Sequence, residues 1–475
     1  MGLSAELGQF ISSPFFCKSD VSSHGPELSE LRTQAFEIIK MGLTDTVATM
    51  FAGRDEEVAK ILFNILKEQE PANEPTRFLD HSASKLAPVP AFGTQLSVLN
   101  AAFLNSTLGH ALDYDDVALS GHPSVVLGPA VLAVAHALNA SGERALEAYW
   151  VGYEVWAELL GRESDPYHLK GWHPTAVLGT VACAAAVANL YRLNASLSTH
   201  VISLAASMAS GLTANFGSMS KPMQAGRAVS NAIMAVNYVL NGMRASSAVF
   251  ESKAGFLNAI SPHGRVDLQS GAKCLSASTL LNSRLSIKQY PMCYSAHRVI
   301  DGVLDAIELH GFKSQDVVHV KAWIGPAQAS MLRNPLPQNA LQAKFSLEFA
   351  VACSLMTKRV SLSELNDEFV LREETQNLMK RVKVEIVQTV CPIDPAFSLH
   401  DRVLIQLNNG VEIDSGDIRF PRGNAYLPLT QEALKQKFLE CCDYGQFSDR
   451  EQSLQLYKKL THLENLQSIR TLFSD

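Results

Sequence analysis

Two histidines and three aspartates crowd one short segment, Gly109–Leu127, which reads GHALDYDDVALSGHPSVVL. Its titratable residues are His110, Asp113, Asp115, Asp116 and His122. The segments on both sides are apolar, which predicts burial, and a buried titratable group is costly unless it has a partner. Such clusters tend to have perturbed pKa values and are candidates for acid–base chemistry. A helix end capped by aspartates would give the same pattern, and this segment alone does not decide between the two interpretations.

Two further segments place a single chemically useful residue beside a predicted helix. His173 lies at the predicted N-terminus of an Ala-rich helix, where the positive end of the helix dipole favours a neutral imidazole. Lys221 lies in a predicted polar loop between two apolar helices, where an ammonium and free helix N–H groups together suit a carboxylate. The alternatives are a loop histidine bonded to backbone and a solvated loop lysine.

A third segment, KQYPMCYSAH, combines acid, base and anion-binding groups within ten residues. Lys288, Tyr290 and His297 are its candidate functional residues, and packing of a strand-to-helix connection is the alternative. Cys293 lies in the same segment but has no activating neighbour pattern, so it is not expected to be a nucleophile.

The sequence predicts neither a metal nor an organic cofactor. It contains no GxGxxG after a strand, no GxxxxGK[ST] and no HExxH or EF-hand spacing. The histidines and aspartates of Gly109–Leu127 could in principle hold a divalent ion. Asp115 and Asp116 are adjacent, however, and would diverge on any regular element, which argues against one.

Periodicity divides the chain of 475 residues into helical and mixed regions. Residues 1–282 are expected to form one helical domain, 283–420 an α+β domain with strands at 317–324, 382–386 and 402–407, and 421–475 a helical segment that returns to the first domain. Residues 71–95 are predicted to be a connection. The helices are predicted at 28–51, 56–67, 95–112, 124–138, 145–160, 175–191, 199–212 and 222–242, with two more at 345–355 and 362–366.

Composition excludes several classes of protein. Hydrophobic residues make up 47%, charged residues 18%, and the net charge is −7, so a disordered chain is excluded. Without a dense Lys/Arg run, neither nucleic acid nor a membrane surface is an expected partner. Eight scattered cysteines lack a CxxC pair and are expected to be reduced. No secretory or transit signal is evident, so a cytoplasmic location is expected, with mitochondria left open.

Five segments, taken in this order, resemble the MmgE/PrpD family. They are HALDYDD…GHPS (110–124), GWHPTAVLGT (171–180), SKPMQAGRA (220–228), IKQYPMCYSAH (287–297) and AKFSLEFAVA (343–352). The resemblance spans about residues 30–425. The family includes 2-methylcitrate dehydratase, cis-aconitate decarboxylase and iminodisuccinate epimerase.

The resemblance implies a mostly α fold, in which a large all-helical domain carries an inserted smaller α+β lid domain. It also implies a homodimer that needs no cofactor and has its active site between the two domains. Matched by position, the active-site residues of the decarboxylase branch are Asp113, His122, His173, Lys221 and Lys288. Arg227, Tyr290 and His297 are further candidates for substrate binding, alongside Lys221 and Lys288. Family members often carry a threonine where this chain has Val117. Valine lacks the hydroxyl that could contact the substrate, so the substrate of this chain could differ from theirs.

These residues predict a cofactor-independent lyase acting on a di- or tricarboxylate. Lysines would bind the carboxylates, and histidines near neutrality would move protons. Dehydration of 2-methylcitrate or an alkylcitrate is the first interpretation, and decarboxylation of cis-aconitate to itaconate is the second. An epimerase or isomerase that abstracts a proton alpha to a carboxylate is the third, and a non-catalytic dimeric scaffold is the alternative from another class.

Overall fold

The computed structural model describes residues 2–13, 26–69, 84–275, 278–394, 396–447 and 449–474. Contacts between residues divide the chain into two units. The larger unit comprises Met1–Ala111, Asp115–Leu285 and Gln431–Asp475, and the smaller comprises Leu112–Tyr114 and Ser286–Thr430. Helices dominate both, which confirms the prediction of a mostly α fold. That the smaller unit is a lid stays a prediction.

The larger unit is built from helices and one short hairpin. Its helices are α1 (Leu3–Ser12), α2 (Pro26–Ala52), α3 (Glu57–Glu68), α4 (Val98–Ala111), α5 (Pro123–Ala137), α6 (Gly142–Leu160), α7 (Pro174–Leu190), α8 (Ala195–Met208), α9 (Ser220–Leu240), α10 (Phe256–Ile260), α11 (Thr279–Ser283), α18 (Gln431–Tyr444) and α19 (Arg450–Thr461). The hairpin pairs β1 (Leu86–Val89) with β2 (Thr94–Ser97) in antiparallel register.

Helix α7 forms the centre of the larger unit. All of its residues are buried, and it packs against α5, α6, α8 and α9. Its sequence, PTAVLGTVACAAAVANL, is apolar on every face, as expected for a helix surrounded by other helices. The small alanine side chains allow these neighbours to approach closely. This packing fixes the start of α7, at which His173 lies.

Helices α4 and α9 also pack closely, because α9 has a glycine, Gly226, at the contact. A Cβ added to Gly226 of α9 would lie 2.2 Å from Thr107 Oγ1 and 2.5 Å from the Phe103 carbonyl oxygen of α4. Only glycine fits such an approach of one helix to the backbone of another. The contact sets α4, which carries His110, against α9, which carries Lys221.

The smaller unit combines short helices with a four-stranded sheet. The helices are α12 (His297–His310), α13 (Pro326–Met331), α14 (Ala340–Ala343), α15 (Leu347–Thr357), α16 (Asp367–Leu371) and α17 (Glu373–Met379). The strands β3 (Val317–Ile324), β4 (Val382–Ile386), β5 (Arg402–Leu407) and β6 (Glu412–Asp414) lie in the order β4-β3-β5-β6. Strand β4 is parallel to β3, and the other two pairs are antiparallel. Helices α12 and α15 contribute buried faces to the same apolar core as β3 and β5.

Several predicted elements need correction. The predicted connection 71–95 contains β1 and β2, and its residues 71–83 lie outside the described part of the chain. Helix α4 starts at Val98 rather than residue 95 because Thr94–Ser97 pairs with β1. Residues 421–430, predicted to be helical, form turns and belong to the smaller unit. The bounds of β3, β4 and β5 agree with the prediction.

Two composition-based expectations can be compared with the described residues. Seven of the eight cysteines are buried free thiols, as predicted for a reduced protein, and Cys17 lies outside the described ranges. Within those ranges, every helix is too short or too polar to cross a bilayer.

Candidate active site

The larger unit starts two of its buried helices with the same dipeptide, His-Pro. His122 is the N-cap of α5 and His173 is the N-cap of α7, with Pro123 and Pro174 in the first turn of each helix. Proline suits that position because its missing N–H would have no partner within the helix. Both imidazoles are therefore placed at the ends of rigid, buried helices.

Asp115 lies between two imidazoles. It accepts a hydrogen bond from His110, whose Nδ1 is 2.9 Å from Oδ1, and His122 Nδ1 lies 3.0 Å from Oδ2, within ion-pair distance. The Asp115 side chain is fully buried, which by itself raises its pKa. The charges and hydrogen bonds of His110 and His122 outweigh burial, so the pKa of Asp115 lies well below its usual value. Asp115 is therefore an ionised carboxylate held between two histidines.

The neighbouring Asp116 has a structural role. Its Oδ1 accepts from the Ser124 N–H at 3.2 Å, and its Oδ2 accepts from the Ser124 hydroxyl, so it satisfies free donors at the start of α5. The Ser124 hydroxyl also lies 2.6 Å from the Tyr149 hydroxyl. Burial, with the charges of Asp45 and Asp115, raises the pKa of Asp116 well above its usual value. This network fixes the helix start at which His122 lies.

His173 has an amide partner where His122 has a carboxylate. His173 Nδ1 lies 2.8 Å from Gln224 Oε1, and the Gln224 amide nitrogen donates to the Leu212 carbonyl at 3.3 Å. With this amide orientation, Nδ1 carries the proton and Nε2 keeps its lone pair. Burial, followed by the charges of His110 and Lys221, lowers the pKa of His173 well below its usual value. His173 is therefore a neutral imidazole.

Backbone geometry around His173 requires a glycine. The His173 N–H donates to the Gly211 carbonyl at 3.0 Å. Gly211 has φ +136°, and a Cβ there would lie 2.6 Å from the Ala176 Cβ and 3.3 Å from Gln224 Oε1. Side chains are excluded from this conformation and this space. Gly211 therefore allows the close packing that aligns His173 with Gln224.

Lys221 belongs to the same group of side chains. It lies in the first turn of α9, is 5% exposed, and its ammonium is 5.0 Å from the centre of the Phe216 ring. The Phe216 ring packs edge-on against His173 at 4.9 Å between centroids. On the other side, the His110 ring is 5.9 Å from His173. The larger unit thus groups three imidazoles with a buried ammonium, and we call His110, His122, His173 and Lys221 the imidazole cluster.

His168 adds a further imidazole near Phe216, at 6.1 Å between ring centres. Burial and the charge of Lys221 lower the pKa of His168 to about 4, so it is neutral near pH 7. It lies on the short 3₁₀ turn Tyr167–Lys170. The Glu163 carboxylate holds this segment by accepting from Lys170 at 2.5 Å.

The smaller unit contains a second pair of predicted residues. Lys288 is fully buried, and its ammonium lies 3.3 Å from Asp113 Oδ2 and also donates to the Asp113 carbonyl. The Tyr114 hydroxyl donates to the Gln289 carbonyl at 3.1 Å. A fully buried ammonium is stable only when paired, and here the pair is complete within the unit.

Three predicted substrate-binding residues have different surroundings. Arg227 is exposed on α9, because six residues after Lys221 a helix has turned through 600° and presents another face. The Tyr290 hydroxyl donates to Asp301, which also accepts from Arg422. The His297 ring packs between Tyr290 and Tyr294, and its Nε2 lies 3.3 Å from the Met292 carbonyl.

Tyr290 and His297 take part in packing of the smaller unit, as the alternative interpretation of their segment has it. As substrate-binding residues, all three stay predictions.

His110 and several residues around the imidazole cluster are not predicted as site residues by the sequence. Sequence assigns no role to Asp115 and His110, because it does not show which of several adjacent acids faces a histidine. Gln224 follows Lys221 by three residues, so helical spacing would have put both on one face. Phe216 and His168 have no sequence signal of their own.

The cluster also has the donor set of a cation site. The imidazole nitrogens of His110 and His122 and a carboxylate oxygen of Asp115 lie within 4.8 Å of one another, a set that could hold a divalent ion. The hydrogen bonds to Asp115 account for the same short distances without an ion.

Comparison with known protein families gives a match over most of the chain. A model described as the MmgE/PrpD N-terminal domain matches residues 23–269, and one described as the MmgE/PrpD C-terminal domain matches residues 290–463. The chain belongs to the MmgE/PrpD family. The resemblance carried by the five segments is thereby confirmed.

Relatives within the MmgE/PrpD family are named cis-aconitate decarboxylase. The human protein is 25% identical over 465 residues, covering 94% of this chain and 92% of its own length. The mouse protein is 25% identical and covers 87% of this chain and 84% of its own length. One from Aspergillus terreus is 25% identical, with 74% and 76% covered. Decarboxylases are lyases, so the prediction of a lyase is confirmed at the level of enzyme class.

Proposed function

We propose that this protein is a carboxy-lyase that removes one carboxylate from a cis-aconitate-type tricarboxylate, with itaconate as the product. The names of the human, mouse and fungal relatives favour this second interpretation of the sequence over the first, dehydration of 2-methylcitrate. The observation that carries the proposal is the imidazole cluster, in which one histidine is paired with a carboxylate and another with an amide.

The reaction has simple requirements. The bond between a carboxylate carbon and the carbon skeleton breaks, carbon dioxide leaves, and the electron pair passes to the skeleton as an allylic carbanion. One proton must then be delivered to carbon, so cis-aconitate and one proton give itaconate and carbon dioxide. The enzyme has to hold the remaining carboxylates, stabilise the carbanion and supply that proton.

His122 is suited to supply the proton. Its Nδ1 lies 3.0 Å from Oδ2 of the ionised Asp115, and a carboxylate at this distance stabilises an imidazolium. The side chain is 11% exposed, so it is the most accessible member of the cluster's histidines. We assign His122 the role of general acid, whose Nε2–H is transferred to carbon.

His173 is suited to stay neutral beside this acid. Its amide partner, Gln224, brings no charge, and burial with the charges of His110 and Lys221 lowers its pKa. Among the described residues, its Nε2 has no hydrogen-bond partner. The different environments of His122 and His173 separate their proton affinities, so one imidazole carries the proton that is delivered to carbon and the other does not compete for it.

Lys221 is suited to bind a carboxylate. Its ammonium is buried at the start of α9, where backbone N–H groups and the helix dipole also favour an anion. In the smaller unit we assign Lys288, supported by Asp113, a role in binding a second carboxylate. Both lysines stay predictions as substrate ligands.

The experiment is product analysis by NMR. Purified protein is incubated separately with cis-aconitate, 2-methylcitrate and citrate in deuterated water. Itaconate from cis-aconitate supports the proposal, and deuterium in the product shows which carbon was protonated. Loss of water from 2-methylcitrate without decarboxylation of cis-aconitate would instead establish the dehydratase interpretation, and inertness toward all three would favour the scaffold.

Two variants control this experiment. His173→Ala should abolish turnover while far-UV circular dichroism shows that the protein stays folded. Lys435→Ala alters a partly exposed lysine on α18, outside the imidazole cluster, and should leave turnover unchanged. Chelator treatment tests the expected independence from metal, and light scattering tests the expected homodimer.

A further inference from the structure

We propose that the outer edge of strand β4 is a self-association surface, on which the same strand of a second copy of this chain pairs antiparallel about a twofold axis at Val384. Strand β4 (Val382–Ile386) lies at one end of the sheet order β4-β3-β5-β6. The inference concerns the smaller unit alone and does not depend on the proposed reaction. It names a surface and a register, whereas the family resemblance implies only a homodimer.

The backbone of β4 offers hydrogen-bonding groups along this edge. The Arg381 carbonyl accepts from a β3 N–H at 2.9 Å, and the Val387 N–H donates to a β3 carbonyl at 2.9 Å. Backbone groups alternate in direction along a strand, so those of Val382, Val384 and Ile386 point away from β3. Among the described residues, no hydrogen-bond partner meets these outward groups. Unpaired groups of this kind are a template for another strand.

The side chains of β4 follow the same alternation. Val382 and Val384 pack against the apolar core of the smaller unit, and the side chains of Lys383 and Glu385, on the other face, are 61% and 36% exposed. Ile386 is on the face of the valines and is 45% exposed. In antiparallel pairing about Val384, Ile386 meets Val382 of the second copy. An exposed apolar side chain thereby gains a cross-strand partner beside the core.

The two charged residues of β4 select this register. With the axis at Val384, Lys383 of each copy lies directly opposite Glu385 of the other. Moving the axis by one residue, to Lys383 or to Glu385, would place two lysines or two glutamates opposite each other. Like charges at directly opposed positions destabilise a strand pair, whereas opposite charges stabilise it. The order Lys-Val-Glu is therefore complementary to itself in one antiparallel register.

The same pattern explains why the occupant is a second copy. An edge strand is commonly protected by a lysine, because its charge repels or leaves unpaired any strand that approaches. In β4 this charge is neutralised by a strand that carries a carboxylate two residues further along in the opposite direction. Glu385 of a second copy has this position, and within one chain it already lies 2.8 Å from the Lys383 ammonium. A single short strand buries little area, so the association is expected to be weak and to depend on concentration.

The first experiment is charge reversal, with sedimentation velocity of the full-length protein over a range of concentrations at low salt. Lys383→Glu and Glu385→Lys each place like charges opposite each other, so each should raise the dissociation constant about tenfold. The double variant Lys383→Glu/Glu385→Lys has opposite charges again, in reverse order, and should associate as the wild type does. Raising the salt concentration should weaken association of the wild type, because these charges are exposed.

A matched control and the opposing outcomes complete this experiment. Lys435→Glu makes the same charge change on α18 and should leave the association unchanged. Wild type and single variants that sediment alike at every concentration would overturn the proposal. A double variant as weak as the single ones would overturn it as well. A wild type whose copies do not associate through this edge would leave the edge to an extended peptide of another protein.

The second experiment follows amide hydrogen exchange by NMR at low and high protein concentration. The N–H groups of Val382, Val384 and Ile386 should exchange quickly in dilute protein and become protected when copies pair. Those of Lys383 and Glu385 point toward β3 and should be protected at both concentrations. Val384→Pro removes the outward N–H at the axis and should abolish the association, since proline is tolerated on an edge strand. Association without new protection at Val384 would place the contact on another surface and contradict the proposal.

Discussion

The starts of α5 and α7 use the same local sequence and differ in what surrounds it. Each helix has histidine at the N-cap, proline at the first position and a hydroxyl residue next, as His-Pro-Ser and His-Pro-Thr. At α5 the imidazole meets the ionised Asp115, and at α7 it meets the neutral Gln224. The carboxylate favours an imidazolium at the first helix start, whereas burial and the charges of His110 and Lys221 favour a neutral ring at the second. The surroundings of each imidazole, rather than the shared motif, set the proton state.

The segments that lead into the two helices differ as well. Before α5, residues Ala118 and Gly121 pair across a two-residue turn whose central residues, Leu119 and Ser120, both have positive φ. Before α7, the chain is held by the ion pair of Glu163 with Lys170. The turn before α5 therefore has a strained backbone, whereas the segment before α7 is held in place by an ion pair.

The largest effect on activity is expected when His122, at the start of α5, receives an amide partner like that of His173 at the start of α7. Asp115→Asn removes the carboxylate that stabilises a protonated His122, so kcat for the proposed reaction should fall about a hundredfold. Steady-state kinetics across pH would measure it, together with thermal unfolding to show that the fold persists. Asp443→Asn, at an exposed site, is the matched control. Wild-type kinetics in Asp115→Asn would remove the distinction between the two histidines.

The second-largest effect on activity is expected when His173 receives a carboxylate partner like that of His122. Gln224→Glu places a carboxylate beside His173, which favours the imidazolium and occupies the lone pair on Nε2. Activity at neutral pH should fall about tenfold and should recover as pH rises and the ring loses its proton. A pH–rate profile tests this, with the exposed Gln436→Glu as control. If the rate of Gln224→Glu is lowered by the same factor at every pH, Gln224 acts through packing alone.

A smaller effect is expected at the glycine beside His173. Gly211→Ala forces a side chain into a φ of +136° and toward Ala176, so unfolding free energy should fall by about 1–3 kcal/mol. Activity should fall too, because the displaced atoms include Gln224 Oε1. Urea unfolding and kcat measure both. Gly93→Ala, also at positive φ but with open space around it, should cost stability and leave activity unchanged.

In the segment before α7, Glu163 is expected to stabilise the protein in a pH-dependent way. Burial opposes ionisation of Glu163, but hydrogen bonds from Lys170 and Ser261 dominate and lower its pKa from 4.5 to about 2. The contribution of Glu163 to the free energy of unfolding is therefore fully present above pH 4.5 and is lost as the pH falls toward 2. Glu163→Gln should cost about 1–2 kcal/mol at pH 7, after allowance for solvent screening. Urea unfolding at pH 7 and pH 3 would show the difference shrinking, and an equal cost at both would contradict it.

The smallest effect is expected in the lead-in to α5. Ser120 is exposed and has φ +57°, so Ser120→Gly relieves left-handed strain and should raise the unfolding free energy by up to about 1 kcal/mol. Activity should be unchanged. Ser330→Gly within helix α13 should instead destabilise by about 0.5–1 kcal/mol, and the opposite signs are the test.

Periodicity was enough to predict much of the fold. The strands β3, β4 and β5 and the helices around α7 follow from alternating or all-apolar patterns, because burial enforces those patterns locally. The hairpin β1–β2 was missed because its strands are four residues long and the first contains a proline. The predicted helix at 421–430 failed because turns bonded within the smaller unit replace it.

Sequence by itself determined the kind of side chains available: two histidines beside three aspartates, a third histidine before a helix, two lysines, and the motifs of the MmgE/PrpD family. Tertiary structure alone decided which acid serves which base. Asp115, and not Asp116, faces the imidazoles, and Gln224 rather than a carboxylate meets His173. The reason is physical, since a proton's position depends on distances of about 3 Å between residues that lie up to 51 positions apart in the chain. Such distances are set by the packing of helices, which no single segment encodes.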